Sequence, residues 1–398
     1  MRDNTAMVNL ARRTLLARGA AFAAAASFGG ARVSFAAAPD AARDRRLLVL
    51  VELKGGNDGF NTLVPYADAA YAALRPRIAN ARDAVVQLSD AAGLHPSLAP
   101  LLPAWREGTL AVLQGVGYPA PNLSHFRSIE IWDTASRSDE FLSDGWLARA
   151  FAAAPRPATF AADGVVVGSN ELGPLAGTKL RAIALADTES FQRRARLAKP
   201  AAATGNRALA HIRRVEADVR EAAARLSVQR EFAAAFPSGG FGNAVRTACE
   251  VIANPSGVGV VRLTLDGFDT HANQAGTQAR LLAELAHGLV ALEAALKELG
   301  RWDDTLVLTY AEFGRRPKEN QTGGTDHGTA SVHFALGGTV RGGLCGAMPD
   351  LSRLDDDGNV AHTLDFRSVY ATVLSRWWGI GASEVLGRRF EEVAFLDA

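Results

Sequence analysis

Acidic and imidazole side chains are concentrated in one glycine-rich segment, AEFGRRPKENQTGGTDHG, which follows the apolar run TLVLTY. The segment supplies Glu312, Arg315, Asp326 and His327. Carboxylates and imidazoles together form a ligand set suited to divalent ions such as Zn²⁺, Mn²⁺, Mg²⁺, Ca²⁺ or iron. A packed core has no need of these residues, so the segment predicts a functional site of the metal-binding kind.

Three further apolar runs also end in polar, glycine-rich sequence: GGNDGFN, GVGYPAPNLSHF and DGFDTHANQ. Their candidate site residues are Asp58, Ser124, His125, Asp269 and His271. Side chains two residues apart point the same way in extended backbone, so Asp269 and His271 are able to share a metal. The adjacent Asp326 and His327 need a turn to converge, and the glycines around them permit one.

The apolar runs themselves predict buried strands at residues 47–53, 109–117, 258–267 and 304–314. Leucines at spacings of three and four predict an amphipathic helix at residues 277–300, between the third and fourth strands. A strand, a helix and a strand in this order form the repeating unit of a parallel sheet. A later helix is predicted to begin after Asp365 as its N-cap. Ligands of open α/β sheets bind beyond the carboxyl ends of the strands, so the four polar segments are expected to converge on one crevice.

Three of the candidates have structural alternatives that the sequence leaves open. Asp58 is also suited to a turn in which it bonds its own backbone. Glu312 is equally suited to a buried ion pair with Arg315. Ser124 precedes HFRSIEIW, a predicted helix, and serine is a favoured N-terminal cap. In each case the contacts of the side chain in the fold decide between the two roles.

The first 36 residues have the pattern of a twin-arginine export signal. Paired Arg12 and Arg13 precede a weakly apolar Ala/Gly run, and the predicted cleavage site follows Ala36. Arg32 interrupts the run, which is too short and too weakly apolar to span a membrane stably. We therefore expect the twin-arginine translocase as export partner, no integral membrane segment in the mature chain, and a periplasmic or secreted location.

The remaining sequence, residues 46–398, predicts a single α/β domain with a cap or insertion at about residues 150–250. Cys249 and Cys345 are too few for a disulfide scaffold, and they are either a pair or two free thiols. The formal net charge of +1 provides no basic field of the kind that binds nucleic acid, so no nucleic-acid partner is expected.

The chain resembles the exported family called domain of unknown function 1501 in five segments that occur in order: LKGGNDGFNTLVPY, GVGYPAPNLSHFRSIEIWDTA, DGFDTHANQ, AEFGRRPKENQTGGTDHG and DFRSVYATVL. That family is similar to the alkaline phosphatase and sulfatase superfamily. The resemblance implies an alkaline phosphatase-like fold, with a mostly parallel central sheet flanked by helices. It also implies one or two divalent metal ions beside a Ser, Thr or modified Cys nucleophile.

The resemblance implies a role for each candidate residue as well. The implied metal ligands are Asp58, Asp269, His271, Glu312, Asp326 and His327, although the superfamily more usually has Asp-His at the place of Glu312. The resemblance implies Ser124 as nucleophile. The positions of other residues add two catalytic candidates: His125 beside Ser124, and Arg315 or the adjacent Arg316 as a bidentate partner of a substrate oxygen, the alternative for the two arginines being a solvated loop. No cysteine stands at the place of Ser124, so formylglycine chemistry is not expected.

These features predict an exported, metal-dependent hydrolase of phosphate or sulfate esters, with small molecules or polymers as substrates. The nucleophile would be Ser124 or water held by the metal. The alternative is a non-catalytic envelope protein that keeps the phosphatase-like fold and binds a cell-surface polymer. A serine acyl hydrolase has the least support, because the chain has no GxSxG elbow.

Overall fold

The structure is a computed structural model that describes residues 41–185 and 230–397. The predicted twin-arginine signal at residues 1–36 lies outside the described residues, and so does the part of the predicted cap or insertion from 186 to 229. None of the helices in the described part combines the length and the apolar character that a membrane span requires.

The described residues contain fourteen strands. They are β1 (Leu47–Lys54), β2 (Leu63–Val64), β3 (Val86–Gln87), β4 (Gly93–Leu94), β5 (Leu110–Gly117), β6 (Ala162–Val167), β7 (Ala182–Leu185), β8 (Val258–Asp266), β9 (Thr305–Tyr310), β10 (Gly314–Glu319), β11 (Thr325–Gly328), β12 (Ser331–Leu336), β13 (Gly343–Cys345) and β14 (Leu364–Asp365). Nine of them form the central sheet, in the order β13-β5-β12-β9-β1-β8-β6-β7, with β14 beside β5. A small antiparallel sheet contains β2, β4 and β3, and β10 pairs with β11 in an antiparallel hairpin.

The central sheet is mostly parallel, as predicted. β1 pairs in parallel with β8 on one side and with β9 on the other, and β6 continues the parallel order to β7. β12 is antiparallel to both β9 and β5, which gives β5 the same direction as β9. The carboxyl ends of β1, β5, β8 and β9 therefore lie along one edge of the sheet, and the four polar segments begin there.

Helices cover both faces of this sheet. The described α-helices are α1 (Ala41–Arg45), α2 (Gly59–Thr62), α3 (Ala69–Leu74), α4 (Leu102–Arg106), α5 (His125–Thr134), α6 (Trp146–Ala153), α7 (Gly240–Ile252), α8 (Gln274–Glu298), α9 (Phe366–Thr372) and α10 (Ala382–Leu386). Short 3₁₀ helices occupy Pro96–Leu101 and Gly173–Leu175, and a π-helical turn at Val373–Trp377 continues α9.

Strand β1 shows why the predicted strands are apolar without alternation. Leu47, Val49 and Val51 share a core with residues of α7 and α8 on one face. Leu48 and Leu50 share a second core with residues of α5, α6 and α9 on the other face. A strand covered by helices on both faces has no solvent side, so its apolar run is continuous and the α/β class follows.

Two helices agree closely with the sequence analysis. The predicted helix at residues 277–300 is α8, and Asp365 caps α9 by accepting a hydrogen bond from the Arg367 amide at 2.9 Å. Within the predicted cap or insertion, β6 pairs with β8 in the main sheet, and α7 packs on the same core. Cys249 and Cys345 are both free thiols.

A glycine allows the segment after β1 to approach the loop after β8. Gly55 has a φ of +112°, and a Cβ on this residue would collide with the backbone nitrogen of Asp269. Only glycine tolerates both this conformation and this approach. The end of β1 therefore lies directly against the loop that carries two of the predicted ligands.

Candidate metal centre

Three histidine side chains direct their Nε2 atoms at the carboxylate of Asp269. The Nε2 of His271 lies 3.0 Å from Asp269 Oδ1, and the Nε2 of His327 lies 3.3 Å from the same oxygen. The Nε2 of His125 lies 3.4 Å from Asp269 Oδ2. The Nε2 atoms of His271 and His327 are themselves 3.0 Å apart. Four of the predicted site residues thus form one group, the histidine–aspartate cluster.

Three of the four polar segments supply this cluster. Asp269 and His271 lie in the loop after β8, and their two-residue spacing places both side chains on the same side, as predicted. His125 is the first residue of α5, which follows β5. His327 lies in β11, where it pairs with Arg315 of β10, the strand that follows β9. The convergence of parallel strand ends therefore assembles the cluster.

Two of the three imidazole rings are oriented by a contact through Nδ1, the ring nitrogen that does not face Asp269. The carbonyl oxygen of Leu123 lies 2.8 Å from His327 Nδ1. A carbonyl oxygen only accepts, so this Nδ1 carries the hydrogen and the Nε2 presents a lone pair. Glu312 Oε1 lies 3.0 Å from His125 Nδ1 and orients that ring in the same way. Histidines that bind metals usually make such a contact through the nitrogen that does not touch the metal.

Two further residues flank the rings. The Phe313 ring packs against His125 and His327, with centroid distances of 4.9 and 4.4 Å. Asp326, predicted as a ligand, places its Oδ1 3.6 Å from the Nδ1 of His271. The structure therefore places Asp326 behind the His271 ring, on the side away from the Nε2 that faces Asp269.

The spacing of the donor atoms fits a divalent metal ion. Zinc–nitrogen bonds measure about 2.0–2.1 Å, so neighbouring ligands of a tetrahedral zinc ion stand about 3.3 Å apart. The four separations given above run from 3.0 to 3.4 Å, and those of His271 join it to Asp269 and His327. Ligand atoms of His125, Asp269 and His327 all lie within 4.8 Å of one another. The side chains of Asp269 and His271 are 46% and 45% exposed, so the cluster is open to solvent on one side.

Charge within the cluster keeps Asp269 ionised. Burial alone would raise the pKa of this carboxyl, but the hydrogen bond and the charge of the Arg315 guanidinium lower it to about 2. The Glu312 hydrogen bond raises the pKa of His125 against the effect of burial, whereas burial lowers the pKa of His327. An aspartate anion beside a neutral His327 is the protonation state that a metal ligand set requires.

Arg315 supports Asp269 from inside the protein. Its side chain is fully buried, and its Nη2 donates to Asp269 Oδ1 at 2.7 Å. The same guanidinium donates to backbone carbonyls, including Gly56 O at 2.8 Å and Thr325 O at 3.0 Å. Because the guanidinium has no exposed surface, the structure gives Arg315 a positioning role in place of the predicted contact with a substrate oxygen.

Asp58, predicted as a ligand, has other partners. It is buried and caps α2 by accepting from the Phe60 amide at 3.1 Å. Its carboxylate forms an ion pair with buried Arg75, with 3.0 Å between Nη2 and Oδ1. The second oxygen, Oδ2, accepts from Arg75 and from Gln274. Each carboxylate oxygen already has two donors, so the structure supports the turn interpretation and separates Asp58 from the cluster.

Glu312 lies beside the cluster and is almost fully buried. Its Oε1 accepts from the Gly55 amide at 2.9 Å as well as from His125. The proposed alternative of an ion pair with Arg315 is not formed, since Arg315 pairs with Asp269. Glu312 therefore acts on the cluster through the His125 ring.

Ser124 is exposed at the N-cap position of α5, and within the described residues its side chain makes no capping hydrogen bond. Its amide donates to Asn122 Oδ1 at 2.9 Å, and its carbonyl accepts from the Ser128 amide at 2.8 Å. Asn122 and the backbone thus hold the start of the helix, and the Ser124 hydroxyl is left next to His125 without a capping duty.

The fold and the cluster together define a mostly parallel α/β protein with a histidine–aspartate site at the carboxyl edge of its sheet. The chain belongs to the family described as protein of unknown function DUF1501, whose model matches residues 45–388. The resemblance predicted from the sequence motifs is therefore confirmed.

Solved structures similar to this chain include the C-terminal periplasmic domain of EcEptC from Escherichia coli in complex with Zn, at 9% identity and a TM-score of 0.39, over 73% of this chain and 72% of that one. Alkaline phosphatase from the Antarctic bacterium TAB5 is 11% identical with a TM-score of 0.36, over 74% and 91%. The lipoteichoic acid synthase LtaP from Listeria monocytogenes is 10% identical with a TM-score of 0.35, over 86% and 76%. No curated protein matches the chain.

Proposed function

We propose that this protein is a metal-dependent hydrolase of phosphate or sulfate esters, with the metal bound by His125, Asp269, His271 and His327. The observation that supports this most directly is the convergence of three Nε2 atoms on one ionised carboxylate. The lone pair of His327 Nε2 lies 3.0 Å from another imidazole nitrogen. A divalent cation here would accept lone pairs from both imidazoles and from Asp269, in place of the hydrogen bond that His271 Nε2 otherwise donates to His327.

The open side of the cluster suits a catalytic site. A bound divalent metal would act as a Lewis acid on the ester and stabilise the negative charge that develops there. The exposed edges of Asp269 and His271 let an ester reach the cluster. Arg315 fixes Asp269 and Glu312 fixes His125, so these ligands need little reorganisation when the ester binds.

The nucleophile in this proposal is the Ser124 hydroxyl or a water molecule. Ser124 is exposed, and it directly precedes His125 in the chain. A serine hydroxyl is weakly nucleophilic at its ordinary pKa and needs a base or a metal to activate it. Water reaches the cluster from the same solvent side. Mutation of Ser124 to alanine therefore distinguishes the two candidate nucleophiles, because it removes the hydroxyl and leaves the access of water unchanged.

The experiment that tests the proposal measures metal content and ester hydrolysis on the same samples. Full-length protein is loaded with Zn²⁺, Mn²⁺, Mg²⁺, Ca²⁺ or Fe²⁺, analysed for bound metal, and assayed with 4-nitrophenyl phosphate and 4-nitrophenyl sulfate. Asp269→Asn and His271→Ala should abolish both metal binding and hydrolysis. The matched control is His287→Ala, an exposed histidine of α8, which should change neither. Absence of bound metal from the loaded wild-type protein would refute the proposal.

Metal binding without hydrolysis would instead support a non-catalytic envelope protein that binds a cell-surface polymer. One observation favours this second candidate: Arg315 is buried, so it is not available to a substrate oxygen. Retention of metal by a wild-type protein that hydrolyses neither ester would distinguish this outcome from failure of the metal site.

We also propose that residues 1–36 are a twin-arginine signal that exports the folded protein to the periplasm or beyond. Support comes from Arg12 and Arg13 and from the weakly apolar run that follows them. Combined Arg12→Lys and Arg13→Lys substitutions should leave the precursor in the cytoplasm, as measured by cell fractionation. Normal periplasmic accumulation of the double variant would contradict this assignment.

A further inference from the structure

A cavity of about 550 Å³ opens beside the histidine–aspartate cluster and is lined partly by His125 and Asp269. Its volume lies within the range of small-molecule sites. Phe126 and Ile129 give it apolar surface, and Lys54 is the one lysine or arginine among the described residues that line it. The carboxylates in the lining are Glu52, Asp133, Glu171, Asp266, Asp269 and Glu312.

Half of these carboxylates have a cationic partner in the protein. The ion pairs are Glu52 with Arg262 at 2.6 Å, Glu171 with Lys54 at 3.1 Å, and Asp269 with Arg315 at 2.7 Å. In the described part of the chain, Asp133, Asp266 and Glu312 form no ion pair with a lysine or arginine. The cavity therefore has an excess of acceptor groups and negative charge.

Two buried oxygen atoms show where this excess is concentrated. Glu312 Oε2 and Asp133 Oδ1 are buried and have no hydrogen-bond partner among the described residues. Glu312 is only 2% exposed. A buried acceptor without a donor costs about 1–3 kcal/mol, so the two oxygens indicate a donor that comes from outside the chain. Burial also raises the pKa of Asp133 to about 8, a shift that the charge of Arg262 reduces but does not cancel.

Helix α5 connects this acidic region to the cluster. His125, Ile129 and Asp133 are spaced four residues apart, so they occupy one face of the helix. All three line the cavity. Eight residues of helix correspond to about 12 Å, so a ligand that contacts both His125 and Asp133 is an extended organic molecule.

We infer that this cavity binds a positively charged amine of the substrate while the ester lies at the histidine–aspartate cluster. An ammonium group supplies three donors and a positive charge, which match the unpartnered Oδ1 of Asp133, about two helical turns from the His125 end of the cavity. Phe126 and Ile129 contact the apolar part of the same substrate. The inference rests on the proposed function, because it assigns the ester to the cluster.

A second metal ion fits the cavity less well than an amine. Among the described residues, the acid and histidine donors close enough to share an ion are those of His125, Asp269 and His327, in the cluster itself. A neutral hydroxyl group would satisfy one acceptor but leave the negative charge uncompensated. An ammonium group supplies both a donor and a positive charge, so it fits this lining better than either alternative.

The first test measures binding without hydrolysis. Benzylamine and its uncharged analogue benzyl alcohol are titrated calorimetrically into full-length, metal-loaded protein. Benzylamine should bind about ten-fold more tightly or better, because it forms charged hydrogen bonds that the alcohol lacks. Asp133→Asn should remove this preference, whereas Asp90→Asn, an exposed aspartate in a loop, should keep it. Equal affinities of the wild-type protein for benzylamine and benzyl alcohol would overturn the inference. This comparison uses the wild-type protein alone, so it does not depend on whether a variant folds.

The second test separates the inference from the proposed function. Hydrolysis of 4-nitrophenyl 2-aminoethyl phosphate is compared with that of 4-nitrophenyl 2-hydroxyethyl phosphate. We expect kcat/KM to favour the amine about ten-fold in the wild type and to be nearly equal in Asp133→Asn. Amine binding without hydrolysis of either ester would support the cavity and contradict the hydrolase. Equal hydrolysis of both esters, with no amine preference in binding, would support the hydrolase and overturn the cavity assignment.

Discussion

Asp58 and Asp269 follow neighbouring parallel strands, and the fold uses them in opposite ways. β1 and β8 pair directly, so both residues lie at the same edge of the sheet. Each is paired with a buried arginine, which is Arg75 for Asp58 and Arg315 for Asp269. The Asp58 side chain is fully buried, whereas the Asp269 side chain is 46% exposed.

The difference shows that a place at a strand end does not by itself make a carboxylate a ligand. Both oxygens of Asp58 are filled by donors from the protein. Asp269 Oδ1 accepts from Arg315 and also faces two imidazoles, and Oδ2 faces His125. An unfilled acceptor on an exposed side chain is therefore the feature that distinguishes a candidate ligand from a structural acid.

The largest expected effect is the destabilisation of the fold by Asp58→Ala. This change leaves Arg75 buried without its partner, so the free energy of unfolding should fall by about 3–5 kcal/mol in urea denaturation. The folded fraction should bind metal as the wild type does. Asp269→Asn should give the reverse result, with metal lost and the stability of the metal-free protein changed by about 1 kcal/mol, because Arg315 keeps its carbonyl acceptors.

A double variant provides the control for this pair. Asp58→Ala with Arg75→Met removes both buried charges and should recover part of the lost stability. If Asp58→Ala instead loses metal while its stability is unchanged, Asp58 is a metal ligand and the contrast with Asp269 is wrong.

A third aspartate, Asp133, differs from both of these. It lacks the donors that surround the Asp58 carboxylate, and it is less exposed than Asp269. Burial, partly offset by Arg262, raises its pKa from 3.8 to about 8. Between these values the folded protein holds a proton that the unfolded chain has lost. The contribution of Asp133 to stability is therefore present at low pH and is lost as pH rises towards 8, by at most about 1.4 kcal/mol per pH unit.

Asp133→Asn should flatten this part of the stability profile. Urea denaturation of the metal-free wild type and variant from pH 5 to pH 9 measures the difference. Parallel profiles of the two proteins would show that Asp133 ionises in the folded state as it does in the unfolded chain.

Glu312→Gln tests how strongly the cluster depends on a residue that acts through His125. Loss of such a supporting contact weakens metal binding by about 10–100-fold. The glutamine carbonyl can still accept from His125, so we expect the lower end of this range in competition with a chelator. Glu384→Gln, at an exposed position of α10, is the matched control. A loss far above 100-fold would place Glu312 itself among the ligands, as the family resemblance implies.

The sheet and the main cluster were predictable because both depend on local patterns. A strand buried on both faces is a continuous apolar run, and polar, glycine-rich sequence marks its end. His125, Asp269, His271 and His327 each lie in such a segment, and the structure brings all four together. Parallel pairing of β1, β8 and β9 is enough to explain the convergence.

The partners of these residues were not predictable, because they depend on contacts distant in sequence. Arg75 lies 17 residues from Asp58, in a segment without a strand or site pattern. The acceptor behind His327 is the backbone carbonyl of Leu123, a group that every residue has. The eight-residue spacing of His125 and Asp133 is a sequence signal for a shared helical face, but it lies outside the polar segments at the strand ends.

The smallest expected effect on stability comes from Ser124→Ala. Loss of a serine cap usually costs about 1 kcal/mol. Within the described residues the Ser124 side chain makes no capping bond, so the free energy of unfolding should change by less than about 0.5 kcal/mol. Metal content should also be unchanged, since no hydroxyl is needed to complete the histidine–aspartate cluster.

The same variant decides the nucleophile, because its fold and its metal are both expected to survive. If the Ser124 hydroxyl attacks the ester, hydrolysis of 4-nitrophenyl phosphate and sulfate should disappear while metal remains bound. Full activity would assign the attack to water on the open side of the cluster. Ser383→Ala, an exposed serine in the first turn of α10, is the control and should leave both rates at their wild-type values. A comparable loss in both variants would mean that the decrease has a cause other than the Ser124 hydroxyl.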